Sequence, residues 1–78
     1  MNYKRDDDFL KALGQNIRRI RQEKGMTMET LAYAAEMEIR QLGRIEGGEV
    51  NTTVSTVLVI AKALGVEVST IFHFDYEK

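Results

Sequence analysis

The chain of 78 residues reads as an all-α fold of five short helices joined by tight connections. Apolar residues recur at spacings of three and four along most of it, which is the period of an amphipathic helix and not of a strand. Residues suited to starting or stopping a helix stand at the ends of most such runs. There is no proline, no internal repeat and no linker-like stretch, so one domain is expected over 7–73, between tails at 1–6 and 74–78.

Phe9, Leu13, Ile17 and Ile20 place the first helix at 7–24. Asp6, Asp7 and Asp8 suit the positive end of its dipole, and the glycine that follows Lys24 can take the left-handed conformation that ends a helix. Thr27 is a good N-cap for a second helix, whose inward stripe is Leu31, Ala32 and Ala35. The turn at 35–38 separates it from a short third helix near 38–46, buried through Leu42 and Ile45. The glycines and polar residues of 47–53 form a loop. Thr53 then caps a fourth helix carrying Val54, Val57, Leu58, Ile60, Ala61 and Leu64, and Gly65 stops it. The valines and threonines of this run favour a strand locally. Helix is the better reading because the 3.6-residue period continues to Leu64. Ser69 caps a brief final turn over 70–74, with Val68 and Phe72 placed to staple its entry.

Composition narrows the function. With no cysteine and a single histidine, His73, the chain has neither a disulfide framework nor a nitrogen- or sulfur-rich metal site, and no cofactor is expected. His73 has no serine or cysteine arrangement around it that suggests a nucleophile, so an enzyme is not expected. The three aspartates at 6–8 project in different directions at a helix start and read as a solvated end. No apolar run approaches the roughly 20 residues needed to span a bilayer, and the first residues lack the apolar stretch of a signal peptide, so a cytoplasmic protein without a membrane partner is expected.

Net charge is -1, a weak argument against a nucleic-acid partner. Its distribution is more informative. Seven cations (Lys11, Arg18, Arg19, Arg21, Lys24, Arg40 and Arg44) face four acids between positions 11 and 44, and the other acids crowd toward the two ends. Arg40 and Arg44 stand four apart, hence on one face of the third helix, with no carboxylate between them in that row. Two helices joined by about four residues, the second bearing these arginines, form a helix-turn-helix candidate.

From about Leu13 to Phe72 the chain resembles the Cro/CI-type helix-turn-helix family of phage repressors and related bacterial regulators. The matching segments are IRRIRQEKGMT at 17–27, LAYAAEM at 31–37, LGRIEGG at 42–48 and VLVIAKALGV at 57–66. The resemblance implies a five-helix, phage-repressor-like DNA-binding domain in which 28–35 is the scaffold helix and 38–46 the recognition helix. An arginine can bond bidentately to guanine O6 and N7 in the major groove, so Arg40 and Arg44 are the leading base readers. Ile39 and Gln41 start the same helix and could meet a thymine methyl or an adenine. Gly43 either lets the helix backbone approach the groove or packs against a neighbouring helix. By the same resemblance Thr27, Met28, Asn51 and Thr52 occupy phosphate-contacting positions, and Arg21 and Glu46 form an internal ion pair. Many relatives carry glutamine where this chain has Met28, and basic residues where it has Glu49, which lowers the affinity expected.

Such domains usually bind as two-fold dimers on half-sites about 34 Å apart. Val59, Val68, Ile71, Phe74 and Tyr76 could form the self-complementary patch of a homodimer. In an alternative reading Ile71 and Phe72 complete the core, and Phe74 and Tyr76 belong to a frayed tail. Tyr33 reads as a half-exposed aromatic. The competing function is a protein-interaction module or antitoxin on the same scaffold, favoured by Glu36, Glu38 and Glu49 where a phosphate backbone would come near. Screening within about 8–10 Å at physiological salt weakens that objection, and double-stranded DNA is the expected partner.

Overall fold

The computed structural model describes residues 5–76. Along them run α1 (Asp7–Glu23), α2 (Met28–Ala34), α3 (Ile39–Glu46), α4 (Val54–Leu64) and α5 (Val68–Ile71), with no strand among the described residues. Three of the helices begin on a side-chain cap. Asp6 Oδ1 accepts from the Phe9 amide at 3.0 Å, Thr27 Oγ1 from Thr30 at 3.0 Å and Thr53 Oγ1 from Thr56 at 3.1 Å. Each cap satisfies an amide that the helix itself leaves without a partner, typically for about 1 kcal/mol. Gly65 ends α4 in the left-handed region at φ 74°, and the Val66 amide returns to the Ala61 carbonyl at 3.0 Å.

The strand-favouring valines of α4 are helical because the period decides their burial. Val57, Ile60, Ala61 and Leu64 all reach the core, which they share with Leu13, Ile17 and Ile20 of α1, Leu31 and Ala32 of α2, Leu42 and Ile45 of α3, and Ile71 of α5. α1 packs on α3 and α5, α2 on α3 and α4, and α4 on α5. The α1–α3 crossing is unusually close at Gly14, where a Cβ would lie 2.4 Å from the carbonyl oxygens of both Ile45 and Glu46. A residue without a side chain is what lets α3 seat there.

Three sequence expectations change. The final helix starts at Val68, with Glu67 before it and Ser69 inside it, and it stops at Ile71. Its end is tied to α1 by buried Asn16, which donates from Nδ2 to the carbonyls of Thr70 (3.2 Å) and Ile71 (2.8 Å). Val68 and Phe72 therefore remain exposed and do not staple its entry. Secondly, Val54 and Leu58 share an outer row of α4 and are exposed, because α5 and α2 cover only the other side. Thirdly, the described part of the C-terminal tail folds back: Phe74 and Tyr76 pack against Phe9 with ring centroids 5.4 and 5.2 Å away, and the Tyr76 hydroxyl donates to Asp6. At the other tail, Arg5 donates to the Glu49 carbonyl at 2.8 Å, whereas positions 1–4 and 77–78 lie outside the described residues.

Candidate functional site

α3 is only eight residues long, yet it turns Leu42, Ile45 and Glu46 inward. At about 100° per residue the opposite pole falls to positions 40 and 44. Arg40 and Arg44 are both exposed there, and neither side chain has a hydrogen bond or ion pair among the described residues. Together with Glu38 and Gln41 they line one wall of an open groove of about 290 Å³, whose other wall is the loop at Asn51 and Thr52 and the start of α4. Of the predicted residues, Arg40, Gln41 and Arg44 of α3 and Asn51 and Thr52 of the following loop are thus brought to one surface.

Ile39 is 44% exposed and shares the row of Gly43, on the flank facing α2. A Cβ on Gly43 would meet Met28 Cε at 3.3 Å, so the missing side chain makes room for α2. That contact is the one the packing alternative for Gly43 calls for. Met28 in turn is half-buried against the core, and the Thr27 hydroxyl is engaged in capping α2. The capping oxygen also lies 2.9 Å from the Thr30 hydroxyl, so one of the two hydroxyl protons stays free to donate beside the first backbone amides of α2. Between the two helices Glu36 holds φ at 53°, a left-handed conformation in which a residue with a Cβ is strained.

What orients α3 from behind is a buried charge cluster. Arg21 Nε donates to Glu46 Oε2 at 2.8 Å and Nη2 to Oε1 at 3.1 Å, a bidentate pair, while Nη1 donates to the Met26 carbonyl at 2.9 Å. Arg18 adds a third bond, Nε to Glu46 Oε1 at 3.2 Å. Glu46 is 1% exposed and Arg21 8%. Arg18 and Gly14 are absent from the sequence-derived set. Arg18 stands one turn before Arg21 on α1 and could have been suspected; a buried Gly14 leaves no such signal.

The patch assigned to self-association divides. Ile71 is fully buried in the core of its own chain and cannot face a partner, while Phe74 and Tyr76 are engaged with Phe9. Val59 and Val68 are exposed, and the structure adds Leu58 and Phe72 to them. Nothing local in the sequence marks those two as outward. Tyr33, at 88%, is almost fully solvent-exposed. Among the described residues no helix is long and apolar enough to cross a membrane.

A family model described as "Helix-turn-helix domain" matches residues 12–71. An uncharacterized HTH-type transcriptional regulator, y4dJ of Sinorhizobium fredii, is 39% identical over 59 residues, covering 76% of this chain and 77% of that protein. Among solved structures, the restriction-modification controller protein C.AhdI from Aeromonas hydrophila superposes with a TM-score of 0.79 at 33% identity, over 86% of this chain and all of that one. The controller protein C.Esp1396I, solved as a tetramer in complex with its natural 35 base-pair operator, gives a TM-score of 0.77 at 34% identity, over 82% of this chain and 84% of that one.

Proposed function

The chain belongs to the helix-turn-helix domain family, and from that premise we propose that it is a transcriptional regulator that binds double-stranded DNA sequence-specifically as a homodimer. The observation that carries this is the outward pole of α3, where Arg40 and Arg44 stand exposed and uncommitted. A B-DNA major groove about 12 Å wide admits one helix, and a guanine edge offers two acceptors matched to a guanidinium. Arg40 and Arg44 read bases, with Gln41 and Ile39 flanking them. Asn51, Thr52 and the amides at the start of α2 after Thr27 meet phosphates, which set register without reading sequence. The buried Arg21–Glu46 pair keeps α3 at a fixed angle to α1 while it reads. Two copies meet through the exposed apolar face of Leu58, Val59, Val68 and Phe72, doubling the bases contacted. A regulator of this kind works in the cytoplasm beside the DNA it controls.

Selection from random duplexes followed by sequencing tests the reading. The wild-type chain is expected to enrich a two-fold symmetric site, and the doubly substituted Arg40→Ala, Arg44→Ala protein to enrich none while folding normally by circular dichroism. Enrichment that survives the double substitution removes these arginines as readers.

A further inference from the structure

We propose that Glu38 is a specificity-determining residue that selects cytosine, an inference resting on the DNA-reading function above. Glu38 occupies the N-cap position of α3, yet its carboxylate makes no capping hydrogen bond, unlike the side chains of Asp6, Thr27 and Thr53 at their helices. It is exposed and lines the same groove as Arg40, Gln41 and Arg44, and it forms no ion pair with either arginine. The groove therefore presents uncommitted guanidinium donors and, beside the Gln41 amide, a carboxylate that can only accept.

That set is complementary to a G·C-containing edge in the major groove. Guanine shows acceptors at O6 and N7, which the arginines take; cytosine shows the N4 amino donor, which a carboxylate takes. A phosphate would repel the same carboxylate, so Glu38 disfavours any register in which α3 lies against the backbone. Cytosine lies in the half-site beside the guanine contacts.

The test repeats the random-duplex selection with the full-length wild type, Glu38→Ala and Glu38→Gln, and measures affinities for the enriched site and its single-base variants. Because the Glu38 side chain is exposed and unbonded, both variants should melt like the wild type. The wild type should prefer cytosine at one position of each half-site. Glu38→Ala should lower that preference by about tenfold and leave the guanine positions unchanged. Glu38→Gln should shift the same position toward adenine, whose N6 and N7 match an amide. If Glu38→Ala raises affinity equally for all sequences, or the cytosine preference survives it, Glu38 is no reader, though the arginine reading stands. A wild type that enriches no sequence removes the DNA-reading premise and this assignment with it.

Discussion

Replacing Arg21 with alanine removes two of the three charged hydrogen bonds that reach Glu46, at 2.8 and 3.1 Å, and leaves the Arg18 contact at 3.2 Å. Breaking a buried ion pair from one side costs about 3–5 kcal/mol, because the survivor is left as an uncompensated charge. Arg18 is itself 45% exposed in its side chain and still satisfies one carboxylate oxygen, which places the loss near the lower bound, about 3 kcal/mol. A domain of this length holds about 4–12 kcal/mol in all. The substitution should therefore lower the melting temperature by about 12–24 °C, taking about 4–8 °C per kcal/mol. Thermal and urea unfolding followed by circular dichroism would measure it. Glu46→Ala should be comparably damaging, whereas Arg21→Met with Glu46→Leu should recover much of the loss, since no buried charge is stranded. An Arg21→Ala protein that melts within about 4 °C of the wild type would refute the reasoning, because that corresponds to less than about 1 kcal/mol.

Gly14→Ala should destabilise despite alanine's higher helix propensity: relieving a 2.4 Å approach to two carbonyl oxygens requires α1 and α3 to separate, and overpacking of this kind costs about 1–3 kcal/mol. A raised melting temperature would contradict the close crossing. Glu36→Gly should stabilise by about 0.5 kcal/mol, the left-handed strain relieved less the entropy of glycine, and an unchanged or lower urea midpoint would count against it. The hydrogen bond to Asp6, with lesser contributions from burial and nearby carboxylates, pushes the Tyr76 phenol from 10.0 up to about 12. Its folded value is raised, so the contact stabilises below pH about 10 and is lost as pH rises through about 12. Ultraviolet titration of phenolate should show a late transition that Tyr76→Phe abolishes; a wild type whose tyrosines all ionise near the ordinary value would rule out the clasp.

Much of the architecture was legible from local spacing. The period of three and four located the helices, because a helix buries one stripe and the stripe is written in the chain. Thr27, Thr53 and the Asp6 region marked helix starts, and Gly65 a stop, because capping is chemistry between residues a few positions apart. The pairing of Arg40 with Arg44 on one face follows from the same geometry. Local rules faltered where two readings shared one pattern: Val54 and Leu58 have helical spacing like Val57 and Ile60, but only contact with other helices separates an inner row from an outer one.

By itself, then, the sequence determined that this is an all-α chain with a cationic third helix. The tertiary structure alone decided that Glu46 answers Arg18 as well as Arg21, that Gly14 lets α3 seat against α1, that Asn16 ties down the end of α5, and that Phe74 and Tyr76 close over Phe9. The physical reason is distance along the chain. These contacts join residues 25 or more positions apart, and no periodicity encodes which helix will lie opposite another until all of them have packed.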